Sequence, residues 1–234
     1  MKIGALSDLH GILPEIKEEC NVYLICGDIV PLKMQRNIPQ SEKWLKTEFA
    51  EWIINLPCEY VFMVGGNHDF ALANMYKDQL KKSSILYAPT KYKITLLDNE
   101  REEYYFEDKK YVIWGTPYCK IFGNWAYMYE PETLIEAYST MPEHCDIALS
   151  HDAPKLCGVG TVTQGFQSGV DAGNPWLADE ILRKHPKYVF CGHIHSGEHT
   201  LQTLDDIKLA NVSSVNEQYK FCLLYTSDAA DDLI

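Results

Sequence analysis

The chain of 234 residues is poor in arginine, which supplies only three of its 21 positively charged side chains. Lys and Arg together are outnumbered by 33 Asp and Glu residues, and the formal net charge is −12. Duplex nucleic acid is bound through clustered cations, so a broad duplex-binding surface is not expected. No apolar run approaches the roughly 20 residues that cross a bilayer, and residues 1–8 reach a carboxylate too early for a signal peptide. We therefore expect neither a membrane span nor an export signal.

The cysteine pattern lacks any C-x-x-C pair among its eight cysteines, which argues against a thiolate zinc site. Several of the cysteines, such as Cys26 and Cys191, lie inside apolar runs, where a thiol behaves as a small hydrophobe. An even count permits disulfides, but a disulfide framework is most needed by small secreted domains. A reducing, cytoplasmic setting is the expectation that follows.

Short apolar runs are distributed along the chain, and their length and β-branched or aromatic content predict buried strands. These runs are Ile3–Leu6, Val22–Cys26, Tyr60–Val64, 111–114, 147–149 and Tyr188–Cys191.

Helical patterns lie between the runs. Residues 41–56 predict a helix that Ser41 can cap and whose apolar residues share one face. Two further helices are predicted at 132–138, which Pro131 begins, and at 176–184. The alternation of strands and helices predicts an α/β fold. Residues 70–110 are charged and less regular, as an insertion or cap would be, and 158–173 have the composition of a loop.

The end of the chain differs from the rest. Residues 217–222 predict a final strand, and the segment 223–234 that follows resembles translated sequencing-adapter text. We therefore expect one domain over residues 1–222 and a non-native tail over 223–234. The alternative is a natural acidic tail.

Polar side chains follow five of the predicted strands, and ligand sites in open α/β sheets lie at the carboxyl ends of strands. The side chains are those of Asp8, His10, Asp28, Asn67, His68, His151, His193 and His195. If these strand ends lie together, they bury two carboxylates and five imidazoles, and divalent cations supply the compensation that such burial needs.

Seven of these groups can form the shells of two divalent ions that share the carboxylate of Asp28. The shells would be completed by two sets of three residues: Asp8, His10 and His195 for one ion, and Asn67, His151 and His193 for the other. All are nitrogen and oxygen donors, which suits Mn²⁺, Fe²⁺ or Fe³⁺, Co²⁺, Ni²⁺ or Zn²⁺ without selecting among them. Each motif alone is weak evidence, and a Gly-Asp pair is usually a turn. Five such motifs after five apolar runs are hard to attribute to chance.

The order of the motifs D-x-H, G-D, G-N-H-D, H and G-H-x-H resembles that of the calcineurin-like metallophosphoesterase superfamily, and the resemblance covers about residues 1–222. It implies a four-layer αββα sandwich of two mixed β-sheets flanked by helices. It also implies that His68 protonates the leaving oxygen or stabilises the transition state, and that Asp69 orients His68. The chain departs from the superfamily at Pro31, where members often carry a further acid.

Three further segments are similar to small single-domain members of the superfamily, those of the brain-expressed 239AB group. The segments are Trp114-Gly115-Thr116-Pro117-Tyr118, Asn124-Trp125-Ala126 and His151-Asp152-Ala153-Pro154. Some members of that group carry Gly at the first histidine of G-H-x-H and are poor enzymes. This chain has His193 at that position, which favours a fully held second ion.

The resemblance implies a metal-dependent phosphoester hydrolase in which a hydroxide bridging the two ions attacks phosphorus in line. The favoured substrates are small nucleotide-type or cyclic phosphodiesters, since Trp125, Tyr127 and Tyr129 lie on a predicted loop where they can stack on a base. Core packing is the alternative role for these rings. The alternative functions are a phosphomonoesterase or protein phosphatase, and a non-catalytic protein-binding scaffold on the same fold. The expected partner is a small phosphoester, with no duplex nucleic acid and no membrane.

Overall fold

Two β-sheets packed face to face lie at the centre of the fold. The computed structural model describes residues 1–76, 93–165 and 167–222. The strands in chain order are β1 (Ile3–Leu6), β2 (Val22–Cys26), β3 (Tyr60–Val64), β4 (Ile94–Leu96), β5 (Glu100–Phe106), β6 (Lys109–Thr116), β7 (Cys119–Lys120), β8 (Met128–Tyr129), β9 (Ile147–Ser150), β10 (Tyr188–Cys191), β11 (Gln202–Leu204) and β12 (Ile207–Asn211).

The two sheets differ in strand direction. The first has four strands in the order β1-β2-β3-β4, and every described pair is parallel. The second has six strands in the order β11-β12-β10-β9-β6-β5, in which the four central strands are parallel and the two edge strands antiparallel. The short strands β7 and β8 pair separately.

Helices cover the outer face of each sheet. They are α1 (Ile38–Trp44), α2 (Ala50–Asn55), α3 (Phe70–Tyr76), α4 (Pro131–Tyr138) and α5 (Pro175–Lys184). A π-helical turn, Leu45–Phe49, joins α1 to α2 without a break. None of the helices in the described residues combines the length and the hydropathy that crossing a bilayer requires.

The four layers explain why the central strands are continuous apolar runs. In β2, Val22 and Leu24 pack against the second sheet, while Tyr23 and Ile25 contact the core beneath the helical segment 38–55. Trp114 of β6 packs on the outer face of the second sheet, together with α4 and α5. Because both faces of these strands are buried, apolar residues occupy successive positions. The predicted αββα sandwich is confirmed.

Most predicted elements are confirmed, with bounds that move by a few residues. The helix predicted at 41–56 begins earlier, because Asn37 caps it by accepting a hydrogen bond from the backbone N–H of Gln40 (3.2 Å). Ser41 lies inside α1 and donates to the carbonyl of Met34 (2.7 Å). An Asn followed by Pro39 in the first turn is the stronger start signal.

Two predictions for irregular segments are corrected by the structure. Residues 70–110 contribute α3, β4, β5 and the start of β6, so the described part of this segment belongs to the layered fold rather than to an insertion. Residues 217–222 form a turn closed by a bridge between Val215 and Phe221, not a full strand. The described part of the predicted loop at 158–173 has one isolated bridge, between Thr161 and Asp171. Residues 77–92 and the predicted non-native tail 223–234 lie outside the described residues.

Candidate metal centre

Five loops meet where β1, β2, β3, β9 and β10 end. The backbone N–H of Asp8 donates to the carbonyl of Gly27 (2.9 Å), which ties the first two loops, and that of Gly192 donates to the carbonyl of His151 (3.1 Å). The carboxylate of Asp8 also accepts the backbone N–H of His193 (3.0 Å), which joins the loops of the two sheets. The predicted convergence of strand ends is therefore present.

The backbone is strained at four of the predicted ligands. Asp8, His10, Asp28 and His193 have φ angles of 56°, 44°, 53° and 68°. This left-handed region costs a non-glycine residue of order 1–2 kcal/mol. Strain of this kind persists only where the surrounding structure enforces it. Seven other non-glycine residues of the described chain also have positive φ angles, so the strain accompanies the ligands without being confined to them.

Two glycines let the carboxylates lie directly against the backbone. A Cβ on Gly66 would lie 2.3 Å from Oδ1 of Asp28, and a Cβ on Gly192 would lie 2.5 Å from Oδ2 of Asp8. Any larger residue would displace the carboxylate that it meets. The glycines of G-N-H-D and G-H-x-H are therefore required because a carboxylate lies too close to the backbone for any side chain to fit.

The three residues predicted for the first shell lie close together. Nε2 of His195 lies 3.5 Å from Oδ1 of Asp8 and 3.4 Å from Nε2 of His10. One ligand atom from each of these three residues lies within 4.8 Å of the others.

Asp28 lies between His10 and His151, which are predicted to belong to different shells. Its Oδ1 is 3.4 Å from Nε2 of His151, and its Oδ2 is 3.8 Å from Nε2 of His10. Nε2 of His151 is also 2.9 Å from Oδ1 of Asn67, while its Nδ1 faces the carbonyl of Cys26 (2.8 Å). Both ring nitrogens therefore face an oxygen that accepts hydrogen bonds. A cation bound at Nε2 would leave the proton on Nδ1, where the carbonyl of Cys26 can accept it.

His193 is the predicted ligand that the structure places least directly. Its ring centroid lies 5.0 Å from that of His151, and the ring packs on Phe122 at 5.1 Å. It belongs to none of the groups of ligand atoms within 4.8 Å that the described residues form. The structure instead places Asp8, Asp28 and His151 together as such a group.

The residues present fit a divalent cation. Two imidazole nitrogens, those of His10 and His195, face each other at 3.4 Å beside a buried carboxylate. Nδ1 of His10 is buried without a hydrogen-bond partner. Asp8 and Asp28 are 0% and 1% exposed. Buried carboxylates and neutral imidazoles in such a number are stabilised when they share a cation.

Burial keeps three histidines of this cluster neutral, whereas at His195 the hydrogen bond and the charge of Asp8 outweigh burial and raise the pKa. Burial lowers the pKa of His10 to about 3 and that of His68 to about 3. Burial also lowers the pKa of His193 well below its ordinary value. Near pH 7 these rings therefore retain a lone pair, which is the form that coordinates metal.

The carboxylates respond differently to the same site. Burial raises the pKa of Asp28, and the charges of Asp8 and Asp69 raise it further. Burial also acts to raise the pKa of Asp8, but the hydrogen bond and the charge of His195 outweigh it and leave the pKa below its usual range. The ionised form of Asp28 therefore lacks compensation within the protein, and a cation would supply it.

Asp28 and Asp69 clamp each other's loops. Oδ1 of Asp28 accepts the backbone N–H of His68 (2.7 Å). The carboxylate of Asp69 accepts the backbone N–H groups of Val30 (2.9 Å) and Gly66 (2.8 Å), and also that of Ile29. These bonds fix the loops after β2 and β3 relative to each other.

In the described residues, the carboxylate of Asp69 holds the loop that carries His68 through its bonds to backbone N–H groups. The side chain facing Nδ1 of His68 is Gln35, through its Oε1. The ring of Trp125 packs on His68, with centroids 4.5 Å apart.

Sequence analysis missed three side chains around the centre. They are Gln35 beside His68, Phe122 beside His193 and Tyr219, whose ring lies 4.9 Å from His10 and 5.1 Å from His195. All three lie on loops, where no periodicity marks them.

Of the three aromatic residues predicted to lie on a loop, Trp125 borders the centre, and Tyr129 lies in the short strand β8. Tyr127 is buried at 4% exposure, and Tyr129 stacks on Tyr118 with ring centroids 4.2 Å apart. Core packing accounts for these two rings.

Comparison with known proteins places the chain in a family. The family model for calcineurin-like phosphoesterases matches residues 1–197, which include all five motifs. Over 206 residues the chain is 26% identical to a human protein named metallophosphoesterase domain-containing protein 1. The match covers 82% of this chain and 60% of the human protein, so the chain spans about 60% of the length of that relative.

Solved structures share the fold at low sequence identity. A phosphopantetheinyl hydrolase from Mycobacterium tuberculosis is 12% identical with a TM-score of 0.58, and the match covers 97% of each chain. The protein TT1561 of Thermus thermophilus is 12% identical with a TM-score of 0.53, covering 89% of this chain and 87% of its own. At this identity the likeness establishes the fold alone.

Proposed function

Because the chain belongs to the calcineurin-like phosphoesterase family, we propose that it hydrolyses phosphoesters with two divalent ions held at the carboxyl ends of β1, β2, β3, β9 and β10. One observation carries the proposal. Asp8, His10 and His195 converge from loops nearly 190 residues apart in the chain, with ligand atoms within 4.8 Å. Asp28 and His151 extend the same buried cluster.

The proposed ligands are the residues that the motifs supply. They are Asp8, His10, Asp28, Asn67, His151, His193 and His195, with Asp28 shared by both ions. When bound, divalent ions would neutralise phosphoryl oxygens and make a nucleophilic oxygen available near neutral pH. The protein's own carboxylates orient the donors, since Asp8 also holds the loop of His193 through its backbone N–H.

His68 is the proposed general acid. Its ring lies at the cluster with Nε2 3.8 Å from Oδ2 of Asp28, and its backbone is fixed by the N–H bond to Oδ1. Because burial keeps this ring neutral near pH 7, Nε2 has to carry its one hydrogen in this role; it gives that hydrogen to the leaving oxygen, which forms an O–H bond as the ester bond breaks. Asp69 acts as a positioning residue through its bonds to the backbone of both loops.

Small phosphodiesters of nucleotide type, including cyclic ones, are the proposed substrates. The support is a set of rings around the centre: Trp125 on His68, and the exposed Phe122 and Tyr219, 55% and 40% accessible. Exposed rings beside a phosphate-binding centre can stack on a planar base. We also propose a reducing compartment such as the cytoplasm, since all eight cysteines lie in the described residues as free thiols.

The test combines metal analysis with hydrolysis of bis(p-nitrophenyl) phosphate by the full chain. We expect about two ions per chain and turnover that requires added Mn²⁺ or another of the candidate ions. Asp28→Asn should lose both properties, and Asp179→Asn, on the exposed face of α5, should keep both.

The outcomes separate the alternative functions. A chain that binds no metal and turns over no ester would instead be a binding scaffold on this fold. If the chain is active, a panel of monoesters, linear diesters and cyclic diesters then tests the substrate class. A clear preference for monoesters would overturn the diester assignment and favour a phosphomonoesterase or protein phosphatase.

A further inference from the structure

We propose that Lys33 and Arg36 form a subsite for a second phosphate group of the substrate, beside the metal centre. This inference rests on the proposed function, because it narrows the substrate class to phosphoesters in which one ester arm carries a further phosphate. Both residues lie on the loop between β2 and α1 and line a surface cavity of about 690 Å³. Ligand pockets in proteins have volumes of about 300–1,000 Å³, so the cavity has room for such a group.

The cavity adjoins the metal centre through residues that touch His68. Gln35 lines the cavity, and its Oε1 contacts Nδ1 of His68. Trp125 packs on His68 with ring centroids 4.5 Å apart, and the guanidinium carbon of Arg36 lies 4.8 Å from the centroid of the Trp125 ring. Because these contacts form a short chain from the imidazole to the guanidinium, one arm of a substrate held at the centre can reach Arg36.

Arg36 is held in place by groups that leave its charge uncompensated. Its guanidinium carbon lies over the rings of Phe70 and Trp125, at 4.5 and 4.8 Å from their centroids. Nη2 donates to the backbone carbonyl of Asn124 (2.7 Å). A guanidinium has five N–H donors in a planar fork, so donors remain for the oxygens of a phosphate. Because the group is already oriented, it loses little freedom when it binds an anion.

The loop has the charge that an anionic ligand requires, although the chain as a whole has a formal net charge of −12. Residues 29–41 include Lys33 and Arg36 and contain no Asp or Glu. In the part of the chain that the structure describes, neither cation forms an ion pair with a carboxylate. Arg183, by contrast, pairs with Glu180 at 2.6 Å. Two unpaired cations that line one cavity are the arrangement that binds a phosphate through charge-assisted hydrogen bonds.

A purely structural role for Arg36 is the alternative. In that role the guanidinium would only support the ring of Trp125 and, through this ring, the position of His68. Replacing Arg36 would then slow every substrate alike, and Lys33, which lies over no ring among the described residues, would have no effect. The two explanations therefore differ in how the rate responds to the charge of the substrate.

The test compares two symmetric diesters as substrates of the metal-loaded full chain. One is bis(4-ethylphenyl) phosphate, and the other, bis(4-(phosphonomethyl)phenyl) phosphate, carries a phosphonate on each arm. The two phenols are of similar acidity, and a symmetric diester presents an arm to the subsite whichever ester bond breaks. We expect wild type to hydrolyse the phosphonate diester with a kcat/KM about 10-fold or more above that of the ethyl diester, mainly through a lower KM.

The variants measure how much of this preference the two cations supply. Arg36→Met and Lys33→Met should each lower the preference about 10-fold, and methionine keeps an apolar stem on the rings that Arg36 contacts. Lys43→Met, at an exposed position on α1 that does not line the cavity, is the matched control and should keep the full preference. A wild type without preference, or variants that lose activity equally on both diesters, would overturn the proposal.

A titration provides a readout that does not depend on turnover. 4-Hydroxybenzylphosphonate, the phenol that the charged diester releases, should bind the full chain in a chelator, where no metal ion competes for the phosphonate. Calorimetry should give a Kd about 10-fold higher for Arg36→Met than for wild type or Lys43→Met. Equal affinity in all three proteins, or no binding to wild type, would overturn the subsite. If wild type hydrolyses neither diester with any candidate metal, the proposed function fails instead, and this titration still tests the subsite.

Discussion

Asp28→Asn should remove the stability that divalent ions confer while costing the ion-free protein little. Burial, with the nearby charges of Asp8 and Asp69, raises the pKa of Asp28, so its ionised form is disfavoured in the folded state. Asparagine keeps an Oδ1 that can accept the N–H of His68, now 2.7 Å away. The substitution also removes a negative charge that is disfavoured at this buried site when no cation is bound.

The magnitude follows from binding linkage. An ion at 100 times its Kd stabilises the folded state by about 2.7 kcal/mol, so two ions contribute about 5 kcal/mol. For a domain of this size each kcal/mol raises Tm by about 2–4 °C, which gives a metal-induced rise of about 10–20 °C in wild type. In Asp28→Asn the rise should fall to a few degrees.

The raised pKa of Asp28 determines how its contribution to the free energy of unfolding changes with pH. A group whose pKa is raised on folding keeps its proton to higher pH in the folded than in the unfolded state. The contribution of Asp28 to the stability of the ion-free protein therefore falls as pH rises above about 3.9, the ordinary pKa of Asp. Asp28→Asn should lose less over that window, so the variant should equal or exceed ion-free wild type near pH 7.

The assay is urea and thermal unfolding of the full chain, with a chelator or with excess Mn²⁺, for wild type, Asp28→Asn and the control Asp179→Asn. The reasoning is refuted if ion-free Asp28→Asn is several kcal/mol less stable than wild type. It is equally refuted if the variant retains most of the metal-induced rise in Tm.

Three further predictions concern neighbouring residues. His68→Ala should slow esters with poor leaving groups about 100-fold or more while sparing p-nitrophenyl esters; equal loss on both would rule out the acid role. Gly66→Ala should abolish the metal-induced rise in Tm, because its Cβ would lie 2.3 Å from Oδ1 of Asp28. Gly169→Ala meets no atom within 4 Å but strains a backbone at φ 88°, so it should lower Tm with and without metal and retain the rise. Because burial lowers the pKa of His10 and His68 to about 3, their share of ion-free stability should fall as pH drops below about 6.5, and His10→Asn should flatten that fall in urea titrations.

The central strands were predictable because their environment is uniform. β2 and β3 are buried along nearly their whole length, so their apolar runs mark their bounds without help from periodicity. β5 is an edge strand, Glu100–Phe106, that exposes most of its side chains and pairs antiparallel with β6. Many of its side chains are charged because they are exposed to water, so a search for apolar runs does not identify this strand.

The side chains around the centre also differ in whether the sequence predicts their positions. Residues at strand ends, such as Asp8 and Asp28, are fixed by the sheet that precedes them, and motif spacing therefore predicts them. Gln35 and Tyr219 reach the centre from loops, and their positions depend on tertiary packing that local sequence does not specify. Side chains on such loops can be assigned to the centre only once the positions of the loops are known.

The reciprocal clamp between Asp28 and Asp69 explains why two motifs 40 residues apart behave as one unit. Each carboxylate bonds to the backbone of the other's loop, at His68 in one direction and at Val30 in the other. The clamp is made by local turns at adjacent strand ends, so the length of chain between them is free to vary. Only the turn residues are constrained, which is why short motifs with unconstrained spacing predict the centre while the segments between them do not.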